Sequence, residues 1–192
     1  MNALFGIMTA FGLSASAGLN AYIPLLVVGV IAHYTDWIIL KPPYDTLSNP
    51  WVLIVVSILL IIEMLADKIP AVNHVNDIIQ TGIRPAAGAI IFAASAHAIT
   101  NVHPVVAILC GLLVSGGVHV VKSAAIRPAV TATTGGAGNV PVSIAEDVIA
   151  AGVSFLSIVL PILVTVILIV ILSMVIWLLW RRSQRKRQVV SS

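Results

Sequence analysis

The sequence predicts an all-α protein, a polytopic membrane bundle of about five helical spans. Of its 192 residues, 59% are hydrophobic and only 9% are charged, whereas soluble domains carry about 25% charged residues. Apolar runs of the length that membrane helices need occupy 3–32, 50–66, 86–99, 104–121 and 148–180. Transmembrane barrels would show short alternating strands instead. The composition therefore favours a helical bundle.

The first run, 3–32, is expected to remain as one span. No basic residue precedes it, and it is longer than the apolar core of a cleavable signal peptide. Pro50, Pro85 and Pro104 stand near the starts of the next three runs, and proline is tolerated in a first helical turn. The spacing of Ser143 and Glu146 matches a capping box, which predicts a helix start at Ser143.

The last run is too long for one straight span. A helix over 144–180 would measure roughly 55 Å, against a hydrocarbon core of roughly 30 Å. Pro161 is the expected break, because proline removes a helical hydrogen bond. Residues 161–180 then span, and 144–160 form a half-helix or a protruding turn. A sixth span is the less favoured alternative, since its hairpin would contain no polar residue.

Basic residues are concentrated after the last run. Five of the ten Lys and Arg residues lie in 181–187, directly after Trp177 and Trp180. An aromatic belt followed by basic residues marks the cytoplasmic headgroup region. We therefore predict one transmembrane domain over 1–180 and a basic cytoplasmic tail over 181–192. The tail is expected to contact anionic lipid and not nucleic acid.

Ionisable residues inside the apolar sequence are the candidate functional residues. Such side chains are costly at membrane depth and usually face the bundle interior. Glu63 and Asp67 are four residues apart, so they share one helix face. The candidates for substrate binding or proton coupling are Glu63, Asp67, Lys68, Asp77, Arg84, His119, Lys122, Arg127, Glu146 and Asp147, with Asn20, Asn73 and Asn139 as secondary candidates. Unpaired buried charges would each cost several kcal/mol. We therefore expect these charged residues to converge: Glu63, Asp67, Arg84, Lys122, Arg127, Glu146 and Asp147.

Two polar segments have more than one interpretation. Residues 73–80 have helical polar spacing, which indicates a short re-entrant or interfacial helix. Residues 131–140 are rich in glycine and threonine, and they form either an anion-binding nest or an ordinary flexible connection.

Short internal similarities suggest an inverted repeat. Residues 16–22 resemble 115–121, and 83–86 resemble 126–129. Inverted repeats are common in transporters. The alternative is that small residues recur at helix contacts without any repeat.

Several motifs together resemble a known family. They are GLNAYIP at 18–24, EMLADKIP at 63–70, Asp77, IRPAAGA at 83–89, HVVK at 119–122, ATTGGAGN at 132–139 and SIAED at 143–147. The combination resembles the bacterial membrane family catalogued as domain of unknown function 4126, over most of 12–152. The resemblance implies a helical domain of the bacterial cytoplasmic membrane and no defined activity. Asn73 stands where the family often has Asp, which weakens a metal-site interpretation.

The sequence contains little evidence of an enzyme active site. The common zinc-protease, hydrolase, phosphate-loop and dinucleotide motifs are missing, and the single cysteine, Cys110, excludes a thiolate metal site. We expect no enzyme, cofactor or metal. The favoured function is a transporter or channel-like binder of a small anionic solute or lipid-linked phosphate. The alternatives are a non-catalytic scaffold or accessory subunit and, third, a cation or metal permease; a homo-oligomer or larger membrane complex stays open.

The charge bias predicts that the loop 35–49 and the basic segment 181–187 share the cytoplasmic side. A Ser191→Cys variant on a background without Cys110 should therefore resist an impermeant thiol reagent in intact cells and react after permeabilisation. Strong labelling in intact cells would contradict this orientation.

Overall fold

The computed structural model describes the backbone of residues 3–99 and 102–190, without the side chains of 3, 70–75, 77, 97–99, 179 and 182–190. Its α-helices are α1 (Ala3–Leu19), α2 (Tyr22–Tyr34), α3 (Pro50–Ala66), α4 (Pro70–Ile99), α5 (Pro104–Val121), α6 (Arg127–Thr134), α7 (Asn139–Val159) and α8 (Pro161–Val190). A 3₁₀ helix covers Tyr44–Ser48, and a π-helical turn, Lys122–Ile126, joins α5 to α6. The described residues contain no strand, so the all-α prediction is confirmed.

Within the part of the chain that the structure describes, four helical segments are long and apolar enough to cross a membrane. They are Ile78–Ala96, Pro104–Thr134, Asn139–Val159 and Pro161–Leu178. The remaining apolar helices, α1, α2 and α3, are shorter than 18 residues. The protein is therefore a helical membrane bundle that combines long spans with shorter helices.

The prediction of one span over 3–32 is wrong, because the helix is interrupted after Leu19. The side chain of Asn20 causes the interruption: its Oδ1 accepts hydrogen bonds from the backbone N–H groups of Tyr22 and Ile23, each at 3.1 Å. Asparagine often diverts the backbone from a helix in this way. Pro24 then lies in the first turn of α2, where its missing N–H is harmless.

The predicted helix start at Pro85 is also wrong. Pro85 lies inside the continuous helix α4, so 73–80 are the first half of a long helix and not a separate re-entrant one. The hydroxyl of Ser115 donates to the carbonyl of Arg84 at 2.7 Å and ties α5 to α4 beside this proline. The starts at Pro50 and Pro104 are confirmed; Asn49 and His103 cap them.

The region 131–161 differs in three ways from its sequence interpretation. Helix α7 begins at Asn139, so Ser143 is inside the helix and no capping box forms there. The connection is shorter than 131–140, since only the turn 135–138 separates α6 from α7; an anion-binding nest in this turn stays a prediction. The break at Pro161 is confirmed, but α7 has 21 residues and is long enough to span, which replaces the expected half-helix.

Helix α1 lies at the centre and packs against α2, α4, α5, α7 and α8. Small residues allow the close approach of α4 and α5. A Cβ on Gly111 would lie 2.6 Å from the Cα of Ala89, and one on Gly88 would overlap Ser115. The hydroxyl of Ser14 donates to the carbonyl of Gly111 at 3.0 Å and ties α1 to the same contact. Small-residue packing of this kind is typical of membrane helices.

Contacts at the two ends of the bundle give the helix directions. Tyr44 and Pro43 line a cavity with Val102 and Pro104, which places the 35–49 loop beside the start of α5. At the other end, the Nζ of Lys122 donates to the carbonyl of Leu19 at 3.0 Å. Helices α1 and α5 therefore end together, away from that loop.

A Cβ on Gly12 of α1 would meet both Ser157 of α7 and Val164 of α8, so the chain reverses direction between these two helices. Helix α8 therefore runs back from the end that holds the 35–49 loop, and the prediction that 181–187 lie on the same side as that loop is wrong. The inverted repeat and the side of the membrane stay predictions.

Replacement of Gly111 by Ala tests the close packing of α4 on α5. We expect Gly111→Ala to lower the free energy of unfolding by about 1–3 kcal/mol, because the added methyl group must displace backbone atoms. Gly117→Ala on the same helix is the matched control, since its Cβ would meet no atom within 4 Å. Thermal unfolding in detergent measures both. Equal stability of the two variants would contradict this packing.

Candidate functional site

Ionisable side chains from distant parts of the sequence converge at the end of the bundle where α1, α3 and α5 terminate. We call this set the charge network. Its members, four carboxylates and four cations, are Glu63, Asp67, Lys68, Arg84, Lys122, Arg127, Glu146 and Asp147. The predicted convergence of charged residues is confirmed. Seven of the eight are buried, and Lys68 is partly exposed.

Asp67 lies at the centre of the charge network. Its Oδ2 is 2.9 Å from Nη2 of Arg127 and 3.8 Å from both Nη2 of Arg84 and Nζ of Lys122. The hydroxyl of Ser143 donates to the same oxygen at 3.2 Å. Asn76 donates from Nδ2 to Oδ1 at 2.7 Å. One carboxylate, 4% exposed, thus faces three cations and two neutral donors.

Arg84 forms the most deeply buried ion pair. Its Nε and Nη2 both donate to Oε1 of Glu63, at 3.3 and 3.0 Å, and the two residues are 0% and 2% exposed. The Nη1 of Arg84 lies 3.3 Å from Nδ1 of His119. Because arginine only donates, Nδ1 accepts, which leaves Nε2 to donate to Thr81 Oγ1 at 3.1 Å. The second oxygen of Glu63, Oε2, has no hydrogen-bond partner among the described residues.

Lys122 joins the charge network to the end of α1. Its Nζ is 2.8 Å from Oε2 of Glu146 and donates to the carbonyl of Leu19. The last carbonyls of a helix lack partners within the helix and carry partial negative charge, so a cation there is stabilising. The Nη2 of Arg127 also reaches Oε2 of Glu146, at 3.4 Å, while Oε1 of that carboxylate is unpaired among the described residues.

Asp147 connects the charge network to the interruption between α1 and α2. Its Oδ1 accepts from Nδ2 of Asn20 at 2.9 Å, and its Oδ2 is 3.3 Å from Nζ of Lys68. Lys68 also donates to the carbonyl of Met64 at 3.0 Å. Its side chain is 26% exposed, so it forms the rim of the charge network.

Not every candidate residue from the sequence belongs to this arrangement. His119 and Asn20 do, through Arg84 and Asp147. Asn139 lies apart from it among the described contacts: its amide donates to Thr131 Oγ1 at 3.0 Å and stabilises the turn after α6. The side chains of Asn73 and Asp77 lie outside the described residues.

Sequence reasoning missed Asn76, Ser143 and Thr81. Asn76, Gln80 and Arg84 recur every four residues, so a continuous α4 places them on one face. A helix that begins at Pro85, as the sequence predicts, would exclude these three residues, so their shared face is visible only in the continuous helix. Ser143 was assigned to a cap, although its hydroxyl donates to Asp67.

The donor set favours oxyanion chemistry over metal binding. Within the described residues, no three His, Cys, Asp or Glu side chains are placed to hold a metal ion. The carboxylates alternate with cations, and arginine suits planar oxygen pairs such as those of carboxylates. The centre of the charge network holds one group of this kind, the carboxylate of Asp67.

Removal of Arg84 should strand a buried carboxylate. We expect Arg84→Gln to lower the free energy of unfolding by about 3–5 kcal/mol, because Glu63 loses its cation. Lys68→Gln should cost at most about 1 kcal/mol, since that pair is partly exposed. Chemical or thermal unfolding in detergent compares the two. A loss for Lys68→Gln as large as that for Arg84→Gln would refute the assignment of core and rim.

The family model described as Domain of unknown function (DUF4126) matches residues 7–181. This match covers nearly all of the chain, so the protein belongs to that family. Neither a curated protein nor a solved structure gives a match to this chain.

Proposed function

We propose that this DUF4126 member is a membrane transport protein that binds a small anionic solute, free or as the phosphate of a lipid, at the charge network. The supporting observation is the arrangement around Asp67, where Arg84, Lys122 and Arg127 approach one carboxylate from different segments. Guanidinium and ammonium groups are the usual protein ligands of carboxylates and phosphates.

A binding role accounts for the location of the charges better than stability alone. Buried ion pairs often contribute no more stability than apolar side chains of similar volume, and ionisable residues in membrane bundles commonly line solute or ion pathways. The interruption at Asn20 lies beside Asp147. Transporters often build their binding sites from discontinuous helices of this kind.

A structural clamp within a scaffold is the second candidate. It is favoured by charge balance, because each described cation of the charge network already has a carboxylate within 3.3 Å. A cation permease is the third candidate. It is favoured by the unpaired oxygens of Glu63 and Glu146, both acceptors without a donor among the described residues.

Ligand-dependent stabilisation of the purified protein separates these candidates. A ligand that binds only the native state raises its stability by about 2.7 kcal/mol at 100 times the dissociation constant. We expect phosphate or small carboxylates to raise the melting temperature saturably. Arg127→Lys should weaken that response at least tenfold, because the forked donor is lost while the charge stays. Lys41→Gln, in the loop at the opposite end, is the matched control.

Radiolabelled anion flux into proteoliposomes, compared with lipid-linked phosphate binding, identifies the form of the solute. Anion uptake supports transport of a free solute, and stabilisation by phosphatidic acid vesicles alone supports a lipid ligand. If no anion changes the stability or is taken up, the scaffold becomes the supported candidate. Stabilisation by divalent metals alone would favour the cation permease.

We also propose that the end of α8 lies at a cytoplasmic membrane surface and contacts anionic lipid. The guanidinium of Arg181 lies 5.2 Å from the ring centroid of Trp177, and the helix continues to Val190. Basic residues beyond an aromatic belt are attracted to anionic headgroups.

A further inference from the structure

We propose that Asp67 is an internal occupant of the oxyanion site, and that the external ligand is a small carboxylate that takes its place. This inference rests on the proposed function, because it assumes that the charge network binds an anion. The ligand class is then a small carboxylate, and the side chain that competes with it is Asp67.

The donors of the charge network are arranged around Asp67 more than around any other described carboxylate. Five side chains offer donors or charge to it: Arg84, Lys122, Arg127, Asn76 and Ser143. Glu63 receives one arginine, whereas Glu146 and Asp147 receive two partners each. The centre of the site is therefore the position of the Asp67 carboxylate.

The distances around Asp67 would allow an external anion to replace its carboxylate. Arg84 and Lys122 are 3.8 Å from Asp67, which is beyond hydrogen-bond distance. Each of these cations has a shorter contact with another carboxylate: Glu63 at 3.0 Å and Glu146 at 2.8 Å. Arg84 and Lys122 would thus keep their closest carboxylate partners if the side chain of Asp67 moved away.

Asp67 is also the member best placed to leave. It is the C-cap of α3 and the first residue of the turn 67–69 that leads to α4. Its donors stand elsewhere: Arg84 and Asn76 on α4, Lys122 on the π-helical turn, Arg127 on α6 and Ser143 on α7. Movement of the turn could withdraw the carboxylate while the donor set stays in place.

Charge and shape indicate a monovalent carboxylate as the ligand. The charge network contains equal numbers of carboxylates and cations, so withdrawal of Asp67 leaves one positive charge that a monoanion balances. Asn76 donates to Oδ1, while Arg127 and Ser143 donate to Oδ2. Donors on both oxygens of a planar group suit formate or acetate, and chloride cannot satisfy them in the same way.

Chemical rescue of Asp67→Ala tests this inference. The variant should melt at a lower temperature than the native protein, and formate or acetate should restore it saturably, at concentrations at least tenfold below those that affect the native protein. Chloride at equal ionic strength should restore little. Asp147→Ala is the matched control: it removes another carboxylate of the charge network, but that carboxylate has only two donors, and its one cation, Lys68, is partly exposed. Formate should therefore restore this variant far less than Asp67→Ala.

Asp67→Asn provides a second variant if Asp67→Ala does not fold. Its amide keeps the volume and removes the charge, so formate should still stabilise it at lower concentration than the native protein. Equal rescue of Asp147→Ala, equal rescue by chloride, or no added response in either Asp67 variant would overturn the inference. If the native protein transports anions but formate rescues neither Asp67 variant, only the proposed role of Asp67 is overturned. If formate rescues the variants but the native protein neither binds nor transports anions, the role of Asp67 stands and the transport function is contradicted.

Discussion

The pairing of buried charges around Asp67 is the constraint on which this membrane bundle depends. An isolated charge in such a bundle would cost several kcal/mol, so each carboxylate requires a cation from another segment. Arg84 from α4, Lys122 from the π-helical turn and Arg127 from α6 meet this requirement at one point. The ends of α1 and α5 and the first half of α7 are consequently held together at that point.

Local departures from regular helix occur where the backbone serves this pairing. The interruption at Asn20 frees a side chain that donates to Asp147, and the carbonyl of Leu19, exposed by the same interruption, accepts from Lys122. Lys122 begins the π-helical turn that leads to Arg127. π-Helical turns are frequent at functional sites. The irregular elements and the charged residues thus belong to one arrangement.

Composition was sufficient to predict the fold class, since a chain with so few charges cannot form an ordinary soluble domain. The charged candidates were also predictable, because ionisable residues are conspicuous in apolar sequence. The errors came from residues whose role depends on tertiary partners. The local pattern predicts a helix start at Pro85, whereas α4 continues through it. The spacing predicts a cap at Ser143, whereas its hydroxyl donates to Asp67. Asn20, followed by Pro24, is a local helix-start signal, but it lies within one continuous apolar run.

We infer that the position held by the Asp67 carboxylate is an oxyanion site. Native crystals soaked in 3-bromopropionate, a monovalent carboxylate, test this through their anomalous density. We expect a bromine peak whose carboxylate lies within hydrogen-bond distance of Arg127 and Ser143, with the Asp67 carboxylate displaced from its present contacts. A structure in which Asp67 keeps its contacts at saturating anion, with no peak at the charge network, would contradict the claim and leave the charges as a structural clamp.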